Sequence, residues 1–144
     1  SLFSASCPLP NKCFEFQGHY YYVEETEMTY EDANTSCVAK SMQLFEPRTS
    51  EANSAVYNFT VFSLSGKYHN VGLGITDKTD GKYRYESDKQ EVGDGMWARD
   101  QPNDSDSDDH CVVFGGFRLK SAEWQDYSCS KDIINETESI RIVQ

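Results

Sequence analysis

The 144-residue chain lacks a long apolar run. Its longest apolar stretches, such as FTVFSL at 59–64, are far shorter than the roughly 20 residues of a membrane-spanning helix, so we predict no membrane insertion. The chain is also poor in basic residues, with 13 Lys and Arg against 24 Asp and Glu and a formal net charge of −11. A negative field repels a phosphate backbone, which argues against nucleic acid as a partner and favours cations, or neutral ligands held through cations.

Signals of enzymatic chemistry are missing as well. The histidines, His19, His69 and His110, are widely spaced and form no His-x-x-x-His pair, so a catalytic zinc ion is not expected. No Gly-x-Ser-x-Gly segment is present to expose a nucleophilic serine, and the cysteine spacing matches no zinc-binding pattern. We therefore predict a binding protein and not an enzyme.

Large apolar side chains, by contrast, are plentiful. Aromatic residues make up 13% of the chain, which is too much apolar surface for a disordered protein despite the net charge. No repeat, low-complexity tract or Pro/Gly-rich linker divides the sequence. The length suits one domain spanning residues 1–144.

The first third of the chain carries a strand signal followed by a helix signal. In CFEFQGHYYYVEE, aromatic residues alternate with other residues on both sides of Gly18, which predicts a strand pair or hairpin. The next segment, MTYEDANTSCVAKSM, predicts a helix that is capped by Thr29, with Asp32 three residues further on.

A second helix is predicted in SEANSAVYNFTVFS, just after Pro47. It begins at Thr49 or Ser50. Its apolar stripe is expected to contain Ala52, Val56 and Phe59.

The remaining strand signals are short. They are VGLGI at 71–75, YRYE at 83–86, CVVF at 111–114 and IRIV at 140–143. About 25 residues rich in Asp, Gly, Lys and Gln separate the second and third of them, a length that is usually functional or disordered. The order of elements predicts an α+β fold.

The acidic segment QPNDSDSDDHC at 101–111 ends that loop. Its oxygen-donating side chains are Gln101, Asn103, Asp104, Asp106, Asp108 and Asp109. A solvated acidic loop is one interpretation, and a calcium site built from oxygen ligands is the other, although the spacing is not that of an EF-hand. Trp97 and Cys111 bracket the segment, and Trp124 lies further on; we predict that both tryptophans are core anchors.

Three segments, in this order, resemble the C-type lectin domain family across nearly the whole chain. VGLGITD resembles that family's Trp-Ile-Gly-Leu segment, with the tryptophan replaced. QPNDSDSDDHC resembles its Glu-Pro-Asn or Gln-Pro-Asp loop, and WQD resembles its Trp-Asn-Asp motif. The resemblance implies two helices, two small antiparallel sheets and a long calcium-binding loop.

The resemblance also implies a sugar site. Position by position, its calcium and sugar ligands correspond to Gln101, Asn103, Asp109, Gln125 and Asp126. In this family the calcium ion completes its shell with two vicinal sugar hydroxyls, so the implied partners are glycans or glycoproteins. The implied function is calcium-dependent carbohydrate binding.

A second, structural calcium ion is implied at a neighbouring set of carboxylates. The corresponding residues are Asp77, Asp80, Asp104 and Asp109, with Asp106 or Asp108 as substitutes. His110 stands where the family usually has a carboxylate ligand.

The QPN triplet is a hybrid, because Gln101 resembles galactose-type sites whereas Asn103 resembles mannose-type sites. The sugar class therefore stays undecided. The alternative function is a domain of the same fold that binds a protein or another ligand without calcium-dependent sugar recognition.

Five cysteines leave one thiol over. The resemblance implies a bridge between Cys111 and Cys129, and a second one from Cys37 to the last strand, where RIVQ offers only Val143. Cys7 and Cys13 are close enough in sequence to bridge the N-terminal hairpin, which leaves Cys37 as a buried thiol. An interchain disulfide, and hence a homodimer, is the alternative.

Four Asn-x-Ser/Thr acceptor sites occur, at Asn34, Asn58, Asn103 and Asn135. Together with the cysteines they predict a secreted or extracellular glycoprotein. A glycan on Asn103 and a sugar-facing Asn103 side chain exclude each other.

Overall fold

The computed structural model describes residues 12–104, 108–116 and 119–139. Within these ranges the chain forms ten elements. In chain order they are β1 (Cys13–Phe16), β2 (His19–Met28), α1 (Tyr30–Ala39), β3 (Met42–Leu44), α2 (Ser50–Ser63), β4 (Val71–Thr76), β5 (Arg84–Tyr85), β6 (Asp109–Phe114), β7 (Trp124–Ser128) and β8 (Ile133–Ser139). The strand predicted at 140–143 lies outside the described residues.

All the strands belong to one sheet, in the order β1-β2-β8-β4-β6-β7, with β3 paired to β8 and β5 paired to β4. The α+β fold class is confirmed. Instead of two separate antiparallel sheets, however, the structure has a single mixed sheet, because β4 and β8 pair in parallel. This parallel seam consists of two residue pairs, Val71 with Ile134 and Gly72 with Asn135.

Both predicted helices are confirmed, each with a threonine cap. The Thr29 hydroxyl accepts a hydrogen bond from the Asp32 backbone N–H at 3.4 Å, so α1 begins at Tyr30. The Thr49 hydroxyl accepts one from the Ala52 backbone N–H at 3.1 Å. Each cap satisfies an N–H that would otherwise have no partner in the first helical turn.

The buried face of α2 is more polar than predicted. Val56 is buried as expected, but Ala52 and Phe59 are only half-buried. The remaining buried residues are Asn53, Thr60 and Ser63. These polar residues are tolerated because they find partners: the Asn53 carboxamide, for example, accepts from the Trp124 indole N–H at 3.0 Å and donates to the Ala122 carbonyl at 2.8 Å.

The two tryptophans anchor the long loop to the core, as predicted. Trp124 is fully buried at the start of β7. Its ring meets that of Trp97 edge-on at 5.5 Å, and Trp97 meets Tyr83 in the same manner at 4.9 Å. These ring contacts connect Trp97, four residues before the acidic segment, to the hydrophobic core.

The disulfide between Cys111 and Cys129 is confirmed and joins β6 to the residue just after β7. Cys13 is also disulfide-bonded, but its predicted partner, Cys7, lies outside the described residues. Cys37 is a free, fully buried thiol. Because Cys37 is fully buried, a second chain cannot reach it in the folded protein, although a homodimer formed in another way stays a prediction.

The position opposite Cys37 differs from the one predicted. Val143 lies outside the described residues, whereas Asn135, in β8, has its side chain beside the Cys37 thiol. Burial raises the pKa of that thiol to about 12, and contact with the Asn135 amide opposes the shift. Neither polar atom of this amide makes a hydrogen bond of normal geometry to a described residue.

The four glycan acceptor sites differ in their exposure to solvent. Asn34, Asn58 and Asn103 are exposed, whereas Asn135 is fully buried and cannot carry a glycan in the folded chain. Among the described residues, neither helix is long and apolar enough to cross a lipid bilayer.

Two acidic residues of β8 are buried. Glu136 is fully buried, with one oxygen accepting from the Thr60 hydroxyl at 3.0 Å and the other without a partner among the described residues. Burial raises the pKa of Glu136 well above its ordinary value and that of Glu138 to about 7. Both groups therefore resist ionisation in the folded state.

We expect the protein to lose stability as the pH rises from about 4.5 to about 7. The unfolded chain ionises these carboxyls at their ordinary pKa, so in this window it binds fewer protons than the folded chain. The free energy of unfolding then falls with rising pH, by about 3 kcal/mol for Glu138 alone. Urea unfolding at pH 5 and pH 8 measures the loss.

Glu136→Gln should lose less stability over the same interval, because its side chain cannot ionise. Glu51→Gln, on the exposed side of α2, is the matched control and should follow the wild type. A Glu136→Gln curve parallel to that of the wild type would contradict the assignment.

Candidate functional site

The acidic segment is tied to the first residue of β7. The Ala98 N–H donates to the Trp124 carbonyl, and the Trp124 N–H donates to the Met96 carbonyl, both at 2.9 Å. The Gln101 N–H then donates to the Ala98 carbonyl at 3.0 Å. These backbone bonds bring residues 101–104 over the middle of β7.

Asp126 is the centre on which this segment converges. Its buried carboxylate accepts from the Asn103 N–H at 3.2 Å through one oxygen and from the Asp104 N–H at 2.6 Å through the other. In return, the Asp126 N–H donates to the Gln101 side-chain oxygen at 3.3 Å. The Gln101–Pro102 peptide bond is cis. The structure thus brings together three of the predicted ligand residues, Gln101, Asn103 and Asp126.

Asp109 begins β6, the strand next to β7, and it is buried. Its carbonyl accepts from the Tyr83 hydroxyl at 3.1 Å. Burial raises the pKa of Tyr83, and four carboxylates raise it further: those of Asp77, Asp126, Asp104 and Asp109. Negative charge therefore accumulates around this one phenol, at the base of the acidic segment.

Sequence reasoning missed Tyr83 as part of the site. The alternation of tyrosines in YRYE was a usable signal, because it places Tyr83 and Tyr85 on the same face of a strand. The sequence does not show which residues this face contacts.

The Gln125 side chain has no hydrogen bond to the other predicted ligands among the described residues. It is half-buried, and its side chain makes no hydrogen bond to a described residue. Successive side chains of a strand point to opposite faces, which separates Gln125 from the buried Asp126. Its role as a ligand stays a prediction.

The carboxylates of the second predicted calcium site have other partners. Asp77 lies 2.8 Å from the His110 imidazole, and this contact raises the pKa of His110. The Asp80 carboxylate accepts from two nitrogens of Arg84, at 3.1 and 2.7 Å, and the pKa of Asp80 falls to about 2, chiefly through that contact. Two of the four ligands are thus already paired with basic side chains.

The structure describes only one of the two substitutes for these ligands. Asp108 accepts from the hydroxyls of Ser128 and Ser130, both at 2.6 Å, and Asp106 lies outside the described residues. In the part of the chain that the structure describes, no three His, Cys, Asp or Glu side chains are arranged to hold a metal ion. The second calcium site stays a prediction.

The chemistry of the first set does fit a calcium ion. All of its donors are carboxylate or carboxamide oxygens, which hard cations prefer. Asp126 forms no ion pair with a described Lys or Arg, so its charge is held only by backbone N–H groups and remains available to a cation. Gln101, Asn103, Asp109 and Asp126 would hold the ion.

Comparison with known proteins gives the same family as the motifs. A family model described as "Lectin C-type domain" matches residues 26–133, more than half of the chain. A perlucin-like protein of Mytilus galloprovincialis is 28% identical over 134 residues, which cover 90% of this chain and 83% of that protein. Collectin-10 of Xenopus tropicalis is 28% identical over 115 residues, which cover 79% of this chain but only 39% of the collectin.

Among solved structures, the carbohydrate-recognition domain of the mouse scavenger receptor C-type lectin is similar, with a TM-score of 0.77 and 20% identity. The match covers 94% of this chain and 98% of that one, and at this identity it shows the fold. With a family model that spans more than half of the chain, the conclusion follows that this chain belongs to the C-type lectin domain family.

Proposed function

We propose that the domain binds carbohydrate through a calcium ion held by Gln101, Asn103, Asp109, Gln125 and Asp126. The bound partners are glycans or glycoproteins, and no covalent chemistry takes place. The observation that carries the proposal is the convergence of the Gln101–Asp104 segment on the Asp126 carboxylate.

Different side chains of the site accept hydrogen bonds from the sugar hydroxyls or donate hydrogen bonds to them. Carboxylate oxygens of Asp109 and Asp126 accept hydrogen bonds from sugar hydroxyls, whereas the amide nitrogens of Gln101 and Asn103 donate to them. When bound, the calcium ion coordinates two vicinal hydroxyls and so selects their stereochemistry. The backbone bonds of the loop to β7 hold the side chains in position before the sugar arrives.

The ligand set carries little charge, since only two of the five proposed ligands are carboxylates. Calcium affinity depends on the number of charged ligands, so binding in the millimolar range of extracellular modules is expected. Concentrations of that order occur outside cells, where the Cys111–Cys129 disulfide is also stable. A secreted or extracellular location is therefore part of the proposal.

A glycan array probed with and without a chelator tests the function. Binding to a set of glycans in millimolar calcium should be lost when EDTA is added, because the hydroxyls are held through the ion. The same array carries galactose-type and mannose-type glycans. The type that binds shows whether the site follows the galactose-type Gln101 or the mannose-type Asn103. Sugar binding that survives EDTA would contradict the proposal.

A protein ligand bound without calcium is the second candidate function. It is favoured by the ion pairs of Asp80 with Arg84 and of Asp77 with His110, which occupy carboxylates of the predicted second calcium site. An array without bound glycans, together with no calcium binding in calorimetry, would favour it over the first.

We expect no glycan on Asn103 in protein secreted from eukaryotic cells, even when Asn58 carries one. Both side chains are exposed, so exposure alone would leave both open to modification. The backbone of Asn103, however, is held against Asp126, and its side chain faces the proposed sugar. Peptide mass spectrometry measures the occupancy of both sites, and a glycosylated Asn103 would contradict the sugar site.

A further inference from the structure

A cleft of about 450 Å³ lies on the other half of the sheet. Its volume falls in the range of small-molecule sites. The residues that matter for its chemistry are His19, Tyr21, Gln43, Phe45, Arg48 and Glu138. They belong to β2, β3, the segment after β3 and β8, and none of them is part of the proposed sugar site.

Glu138 presents an incompletely bonded carboxylate to this cleft. Its side chain is only 6% exposed. One oxygen accepts from the Glu46 backbone N–H at 2.8 Å and from the Gln43 amide at 3.1 Å. The other oxygen accepts no hydrogen bond from a described residue, although a carboxylate oxygen can accept more than one.

Two further polar side chains line the same cleft. His19 Nδ1 lies 3.9 Å from it, too far for a hydrogen bond, and this buried nitrogen has no partner among the described residues. The Gln43 side-chain oxygen likewise accepts nothing from them. A gap of this size between two polar atoms suits a third polar group that contacts both.

The basic residue of the cleft cannot serve as the counter-ion of Glu138. Arg48 pairs with Glu46 at 2.7 Å and with Asp88 at 3.1 Å, and its guanidinium lies 3.8 Å over the Tyr85 ring. No Lys or Arg among the described residues lies within 4 Å of Glu138. Arg48 lowers the pKa of Glu138 only from a distance, so the buried acid of the cleft has no Lys or Arg in contact with it.

From these contacts we infer that the cleft binds a protonated primary amine. An ammonium group has three N–H donors, which match the Glu138 oxygen, His19 Nδ1 and the Gln43 oxygen. The Tyr21 and Phe45 rings line the same cleft and suit the alkyl chain of such a ligand. A divalent metal ion fits less well, because one carboxylate and neutral groups offer it too little charge.

The amine could be a free small molecule or the lysine side chain of a partner protein. Titrations followed by NMR use n-butylamine for the first source and the peptide Gly-Lys-Gly for the second. They are done at pH 8, above the pKa of Glu138 of about 7, and in EDTA, so that failure of the calcium site cannot affect them. The backbone amides of His19 and Glu138 report binding.

We expect saturable shifts with at least one of the two amines, and none with n-butanol, the neutral analogue of n-butylamine. The tighter ligand identifies the source. Glu138→Gln should weaken binding by about ten-fold, because it removes the charge and keeps the shape. Glu51→Gln, an equal change on the exposed side of α2 near the cleft, should leave binding unchanged.

Gln43→Leu provides a second test on a half-buried side chain, should Glu138→Gln fail to fold. It should also weaken amine binding, and n-butanol should still cause no shifts. The inference is wrong if neither amine binds, if n-butanol binds as tightly as n-butylamine, or if Glu138→Gln and Glu51→Gln weaken binding equally.

Discussion

Asp126→Asn should abolish calcium-dependent sugar binding while the domain stays folded. The substitution keeps the size of the side chain but removes the charge of the one carboxylate on which the acidic segment converges. Because the charge of the ligands sets calcium affinity, we expect binding at least about 100-fold weaker, measured by calorimetry. Asparagine also replaces one of the two acceptor oxygens with an NH2 donor, so the N–H of Asn103 or that of Asp104 loses its present acceptor.

Asp94→Asn is the matched control for this experiment. Asp94 lies in the same long loop, is exposed, and loses the same charge when substituted. Its calcium and glycan binding should equal that of the wild type, and both variants should keep a native near-ultraviolet spectrum. If Asp126→Asn binds glycans as tightly as Asp94→Asn in calcium, the proposed ligand set is wrong.

Asn135→Cys should form a disulfide with Cys37 and raise the free energy of unfolding by about 4 to 5 kcal/mol. The two side chains lie side by side and are fully buried, and the bridge would close a loop of about 100 residues in the unfolded chain. The change also removes an amide whose polar atoms lack hydrogen-bond partners among the described residues. Guanidinium unfolding of the oxidised protein measures the gain.

Reduction and a serine substitution separate the bridge from the loss of the amide. Most of the gain should disappear in dithiothreitol and in the double variant Cys37→Ser with Asn135→Cys. Any small gain in the free energy of unfolding that remains, and that Asn135→Ala also shows, would measure how far the buried amide destabilises the folded state. Two free thiols titrated in oxidised, unfolded Asn135→Cys would show that the side chains do not bridge.

Local signals predicted the first part of the fold well. The alternation around Gly18 and the caps at Thr29 and Thr49 are short-range features, and each is confirmed at its position. The strands β7 and β8 were missed because most of their buried residues are polar. In β8 the consecutive residues 135–138 are all buried, although none is apolar.

The sequence predicted only those residues of the candidate site that lie in the family's motifs. Asp126 is 23 residues from Asn103 and 25 from Gln101, yet the resemblance to the family selected all three as candidates, and the structure brings them into contact. The pairing of Asp80 with Arg84 depends on three-dimensional positions that no motif encodes. Asn135 was missed as a neighbour of Cys37 because strand β8 itself was missed.

The parallel seam between β4 and β8 has a consequence for motion. It joins the part of the sheet that carries the acidic loop to the part that carries the cleft, through two residue pairs. A Cβ atom at Gly72 would lie 2.1 Å from Cδ1 at the end of the Ile133 side chain, so a larger residue there requires that side chain to move. Cooperative opening concentrates where few backbone bonds hold two regions together. Amide hydrogens on the two sides of the seam should therefore exchange with solvent as two separate cooperative units, each at its own rate.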